Sequence, residues 1–62
     1  MDTKTKRSIL DKLTTAVNNR DTAWDFIDEN NFNNAIHFLL LAIQDLQQAT
    51  SILNDNTQSQ KP

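Results

Sequence analysis

The chain has 62 residues, with one proline, no glycine, no cysteine and a formal net charge of −2. That leaves room for one small domain with no disulfide, thiolate metal site or thiol nucleophile, and a single histidine excludes a multi-histidine site within one chain. The lack of glycine excludes phosphate-cradling loops, dinucleotide fingerprints and nucleophile elbows, and it disfavours folds built from tight β-hairpins. A helical fold with one turn remains.

The first helix is expected over about residues 5–29. Ile9, Leu13, Ala16, Ala23 and Ile27 recur at helical spacings, and Leu10, Val17 and Trp24 widen that face along one flank. Ser8 and Asp11 resemble a capping box, with Thr3 and Thr5 as competing N-caps. The pattern breaks at Asp28-Glu29-Asn30-Asn31. Asparagine is the non-glycine residue best suited to the left-handed conformation that ends a helix, and it is also a preferred N-cap. Asn30 is therefore read as the terminator of the first helix and Asn31 as the cap of the second. So short a turn makes the two helices antiparallel neighbours.

The second helix is expected over about residues 32–53. Phe32, Ala35, Leu39, Ala42, Leu46, Ala49 and Leu53 alternate at three and four, like a coiled-coil seam. Residues 54–62 contain no apolar side chain and are expected to form a disordered tail. Antiparallel pairing about residue 30 puts Ile27 near Ala35, Trp24 near Leu39, Val17 near Ile43 or Leu46, and Leu10 near Leu53. The resulting fold class is all-α, a two-helix antiparallel hairpin.

A lone hairpin has one seam and cannot cover all the apolar residues. Residues 38–43 are six consecutive apolar side chains and wrap more than a full helical turn. A helix apolar nearly all round is normally buried on several sides. Phe38, Leu41 and Ile52 are expected to form a second stripe beyond the seam. With Leu40 and Trp24 they are the candidate interface, which predicts a homodimer forming a four-helix bundle, or a protein partner covering the same stripe. Charge is split along the chain. Lys4, Lys6, Arg7, Lys12 and Arg20 outweigh Asp2 and Asp11 in the first 20 residues; Asp21, Asp25, Asp28, Glu29, Asp45 and Asp55 outweigh Lys61 in the rest. Lys4, Lys6, Arg7, Lys12, Asp21, Asp25 and Asp28 are candidate charged docking residues. An antiparallel pair of first helices would join the opposite charges.

Nothing in the pattern points to catalysis. His37 is expected at the polar rim of the second helix without a partnered nucleophile, and acid–base work needs positioned partners. Asp21, Asp25, Asp28 and Glu29 lack the inward Glu-x-x-His that metal-binding bundles add. Arg20, inside the apolar face, is expected to lie along Trp24 or to reach Asp45. The chain is read as non-enzymatic, without cofactor or metal. The longest apolar run falls far short of the ~20 residues of a membrane span. The charged start, with no apolar stretch behind it, predicts no signal peptide and a cytoplasmic location.

Residues 21–46 resemble one repeat of the tetratricopeptide-repeat family. Ala23 stands at that family's small helix-A position and Phe26 at the aromatic one. Asn30 stands at the turn glycine and Phe32 at the turn aromatic. Ala35, Leu39 and Ala42 match the start of helix B. The pattern departs at Thr22, where the family has leucine, at Trp24, displaced from the family's tryptophan, and at Gln47, in place of the repeat-ending proline. The resemblance implies close helix approach and a protein-interaction role, and it carries over no ligand-binding residue. The expected hairpin dimer is also similar in architecture to the Rop-type RNA-binding proteins. That likeness implies an alternative, a nucleic-acid-binding regulator using the basic start of the first helix.

Overall fold

A computed structural model describes residues 1–59 as two helices in a single antiparallel hairpin, α1 (Thr3–Asp28) and α2 (Phe32–Ser59). The Cα envelope measures 51 × 17 × 10 Å, a slab one helix thick.

Helix α1 starts earlier than the capping-box reading suggests. Asp2 is the N-cap: it has extended backbone, and its carboxylate accepts the Thr5 N–H at 2.7 Å. Hydrogen bonding from the Thr5 side chain, together with this backbone N–H, holds its carboxyl below the usual carboxylate range. Threonines, normally weak helix formers, are accommodated by donating their hydroxyls one turn back. Thr14 donates to the Leu10 carbonyl, Thr15 to Asp11, Thr22 to Asn18 and Thr50 to Leu46.

The turn follows the asparagine reading closely. Asn30 has a φ of 62°, in the left-handed region. Its N–H donates to the Ile27 carbonyl at 3.0 Å, and the Asn31 N–H donates to Phe26 at 2.8 Å. These paired bonds define a Schellman motif and satisfy carbonyls left open at the end of α1. The Asn31 carbonyl accepts the Ala35 N–H at 3.1 Å and opens α2.

Helix α2 runs through residues 54–59, beyond the expected end at 53. No proline or glycine interrupts it there, and the Asn56 side-chain amide donates to the Ile52 carbonyl at 2.9 Å. The extension lets α2 run alongside the first turns of α1. The rest of the expected tail, residues 60–62, lies outside the described residues.

The seam is built on alanine. Ile9, Ala16 and Ala23 of α1 and Ala35, Ala42 and Ala49 of α2 are the buried apolar residues. Each set repeats every seven residues, which keeps it on one line as two helices pack side by side. Methyl groups let the backbones approach closely. Ala23 is 0% exposed, and no large side chain is fully buried.

Interleaved with this line are half-buried residues that sequence reading did not assign to it. On α1 they include Lys12, Asn19 and Phe26; on α2 they include Phe38, Asp45 and Ile52. The Phe26 and Phe38 rings stack at 5.6 Å. The Asn19 amide donates to Asp45 Oδ2 at 3.0 Å, and Lys12 Nζ donates to Gln48 Oε1 at 2.8 Å. These cross-links settle how the helices roll about the alanine line. Leu39, Leu46 and Leu53, expected inside the seam, are exposed on one side of it. Phe38 and Ile52, expected beyond the seam, flank it on the other.

A candidate interaction face

The roll of the helices divides the hairpin into two unlike faces. One carries Leu10, Leu13, Val17, Trp24 and Ile27 from α1 with Phe32, Ile36, Leu39, Ile43 and Leu46 from α2, all exposed. They share a face because they step along each helix at three and four from a common flank of the alanine line. At mid-length the two rows enclose an open groove of about 620 Å³, floored by Ala16 and Ala42 and walled by Leu13, Val17, Leu39, Ile43 and Leu46, with Arg20 on its rim. Val17 and its expected neighbours Ile43 and Leu46 all line it.

Arg20 is turned away from Asp45. Its guanidinium lies 5.5 Å from the Trp24 ring centre and bonds Asp21 at 3.0 Å, the one ion pair among the described residues. Both partners are well exposed, so the pair is worth about 0–1 kcal/mol. Asn19, one residue earlier, makes the contact to Asp45. The cation–π contact holds the arginine stem along the groove wall and its charge at the edge.

The five candidate interface residues fall on separate surfaces. Trp24 belongs to the leucine face and is 58% exposed. Phe38, Leu41 and Ile52 are half-buried on the opposite flank, where Phe38 is engaged with Phe26 and with the His37 ring, edge-on at 5.3 Å. Leu40 is exposed on α2 away from the seam. The larger exposed apolar face lies on the other side of the alanine line from Phe38, Leu41 and Ile52. Helical periodicity found the alanines. Reading the polar pair Asn19 and Asp45 as bonded partners would have found the roll.

The charged candidates also separate. Lys4, Lys6 and Arg7 are exposed near the open end of the hairpin, whereas Lys12 is half-buried and tied to Gln48. Asp21, Asp25 and Asp28 are exposed toward the turn. Among the described residues no three His, Asp or Glu side chains come together as a metal site requires, and no helix is long and apolar enough to cross a membrane. Compared with family models, curated proteins and solved structures, the chain matches none of them.

Proposed function

We propose that this chain is a non-enzymatic interaction module whose leucine face binds a second copy of itself, giving a four-helix bundle. The observation that carries the reading is the exposed apolar face, contributed by both helices and centred on the groove, with Arg20 at its rim. Large contiguous patches of this kind mark protein-interaction sites. The chain exposes 4848 Å². A compact monomer of its mass would expose about 4,100 Å² by the size scaling of folded proteins, an excess of roughly 750 Å². That is close to the ~800 Å² per partner of a standard protein interface. A flat face on a slab one helix thick also supplies the self-complementary patch that a two-fold dimer needs.

Trp24, the only tryptophan, reports on this directly. Sedimentation equilibrium should give twice the chain mass at micromolar concentration, and Trp24 emission should shift to the blue as concentration rises. A chain that sediments as a monomer at 100-fold higher concentration, with red-shifted tryptophan throughout, overturns the reading. The alternative of nucleic-acid binding is supported by the exposed cluster Lys4, Lys6 and Arg7. Phosphate contacts by three cations would be strongly salt-dependent. Absence of retention on RNA or DNA at low salt removes it.

A further inference from the structure

We infer that the two copies join with their turns at opposite ends, so that α1 lies antiparallel on α1 of the second copy and α2 on its α2. This orientation rests on the reading that the leucine face is a dimer interface. Two identical slabs placed face to face on a two-fold axis, with their helices aligned as in a four-helix bundle, have only two arrangements. If the axis runs along the helices, the turns meet at one end and each α1 covers the other copy's α2. If the axis runs across them, the turns lie at opposite ends and like helices cover one another. Neighbouring helices are antiparallel in both, so helix packing alone does not choose between them.

Charge chooses. The first half of α1 carries Lys4, Lys6, Arg7 and Lys12 against Asp11, while its last turns carry Asp21, Asp25 and Asp28, followed by Glu29. The part of α2 beside the turn, residues 32–44, carries no Asp, Glu, Lys or Arg. With the turns together, the two acidic clusters gather at one end, and each α1 cluster lies over an uncharged stretch of α2. With the turns apart, residues of α1 equidistant from its middle come level. Lys4, Lys6 and Arg7 then come level with the second copy's acidic stretch from Asp21 to Asp28, twice over by symmetry. Opposite charges within about 10 Å are only partly screened at physiological salt. The centre of the groove, walled by Leu13, Val17, Ile43 and Leu46, lies near the midpoint of both helices, where the axis would pass.

The chain has no cysteine, so one substitution places one label. Asn33→Cys, on an exposed position in the first turn of α2, can carry a nitroxide. With turns apart, the labels sit near opposite ends of the bundle and should read about 35–40 Å by pulsed dipolar spectroscopy, at 1.5 Å of rise per residue. With turns together they would read under about 25 Å, given helix spacings of 8–10 Å, and that overturns the orientation. No intermolecular distance, in a chain that sediments as a monomer, overturns the dimer reading instead. A second measurement separates the arrangements by sign. The pair Asp25→Lys and Asp28→Lys should weaken the dimer about three- to tenfold at low salt and hardly at all in 1 M salt. With turns together, the same change would relieve repulsion and tighten the dimer, and tightening counts against the proposal.

Discussion

The alanine seam makes a prediction that a leucine seam would reverse. Ala23 is 0% exposed and sits at the turn-proximal end of the α1 line. Ala23→Leu puts an isobutyl group where the structure holds a methyl, in a contact with no solvent-accessible space to expand into. Overpacking of this kind costs typically about 1–3 kcal/mol, because side chains leave their rotamers or the backbones part. A chain of this length has only roughly 3–9 kcal/mol of stability to lose, at 0.05–0.15 kcal/mol per residue. With a urea slope of about 1 kcal/mol/M for so small a domain, the midpoint should fall by about 1–3 M. The assay is far-UV circular dichroism in urea at one fixed chain concentration, since association would otherwise shift the midpoint. Asn18→Leu, at an exposed position on the outer side of α1, is the control and should stay within about 0.5 kcal/mol of the parent. If Ala23→Leu matches the parent or exceeds it, the helices are not set at an alanine-limited distance, and the roll assigned to them is wrong.

Three further outcomes follow from named contacts. Asn30→Ala forces a β-carbon into the left-handed region without the side-chain hydrogen bonding that favours asparagine there, and should cost about 1 kcal/mol by thermal melt; Asn30→Gly should cost nothing or stabilise slightly. Removing the Asn19 amide leaves the half-buried Asp45 carboxylate short of a donor. Asn19→Ala should therefore lose about 1 kcal/mol, and the double change with Asp45→Ala should cost less than the two singles added; strict additivity would refute a direct coupling. Asp2 has a lowered native pKa, so its contribution is full above the ordinary aspartate value near ~3.9 and disappears as pH falls through the native one. Melting curves of Asp2→Ala and parent should converge at acid pH and separate toward neutrality.

What sequence reading captured and what it missed divide along a physical line. The break at Asn30-Asn31 was legible because it depends on local chemistry. A left-handed asparagine and a capping asparagine need only the few residues around them, and the observed hydrogen bonds stay within that stretch. The alanine line was legible for the same reason that any helical face is, through its spacing. The roll about that line was not, because hydrophobicity assigns the leucines to the inside. The structure instead puts Asn19 against Asp45 and Phe26 against Phe38, contacts between residues 26 and 12 positions apart that pair only once the hairpin has closed. The far end of α2 was missed because an apolar pattern cannot mark a helix whose last turns carry none. Helix 1 started early because Asp2 outcompeted three plausible caps downstream.

A seam of methyl groups has a further consequence. It brings the backbones together but removes little apolar surface from water, and Ile9 is the only large side chain among the six buried residues. Ordering a backbone costs about 1–2 kcal/mol per residue. A slab with so thin an interior is therefore poorly equipped to offset that cost by itself, and the leucine face holds most of its unburied apolar capacity. Covering that face should be part of folding rather than a step after it. Unfolding would then be a transition from folded dimer to two unfolded chains, and its midpoint would depend on concentration. Each tenfold dilution removes about 1.4 kcal/mol per dimer. Divided by an unfolding entropy of about 2.1 cal/mol/K per residue over two chains, that lowers Tm by about 5 °C. Calorimetry at 10, 100 and 1000 μM reads the shift. A Tm constant across that range would mean that the hairpin holds its fold alone, and the exposed leucines would need another account.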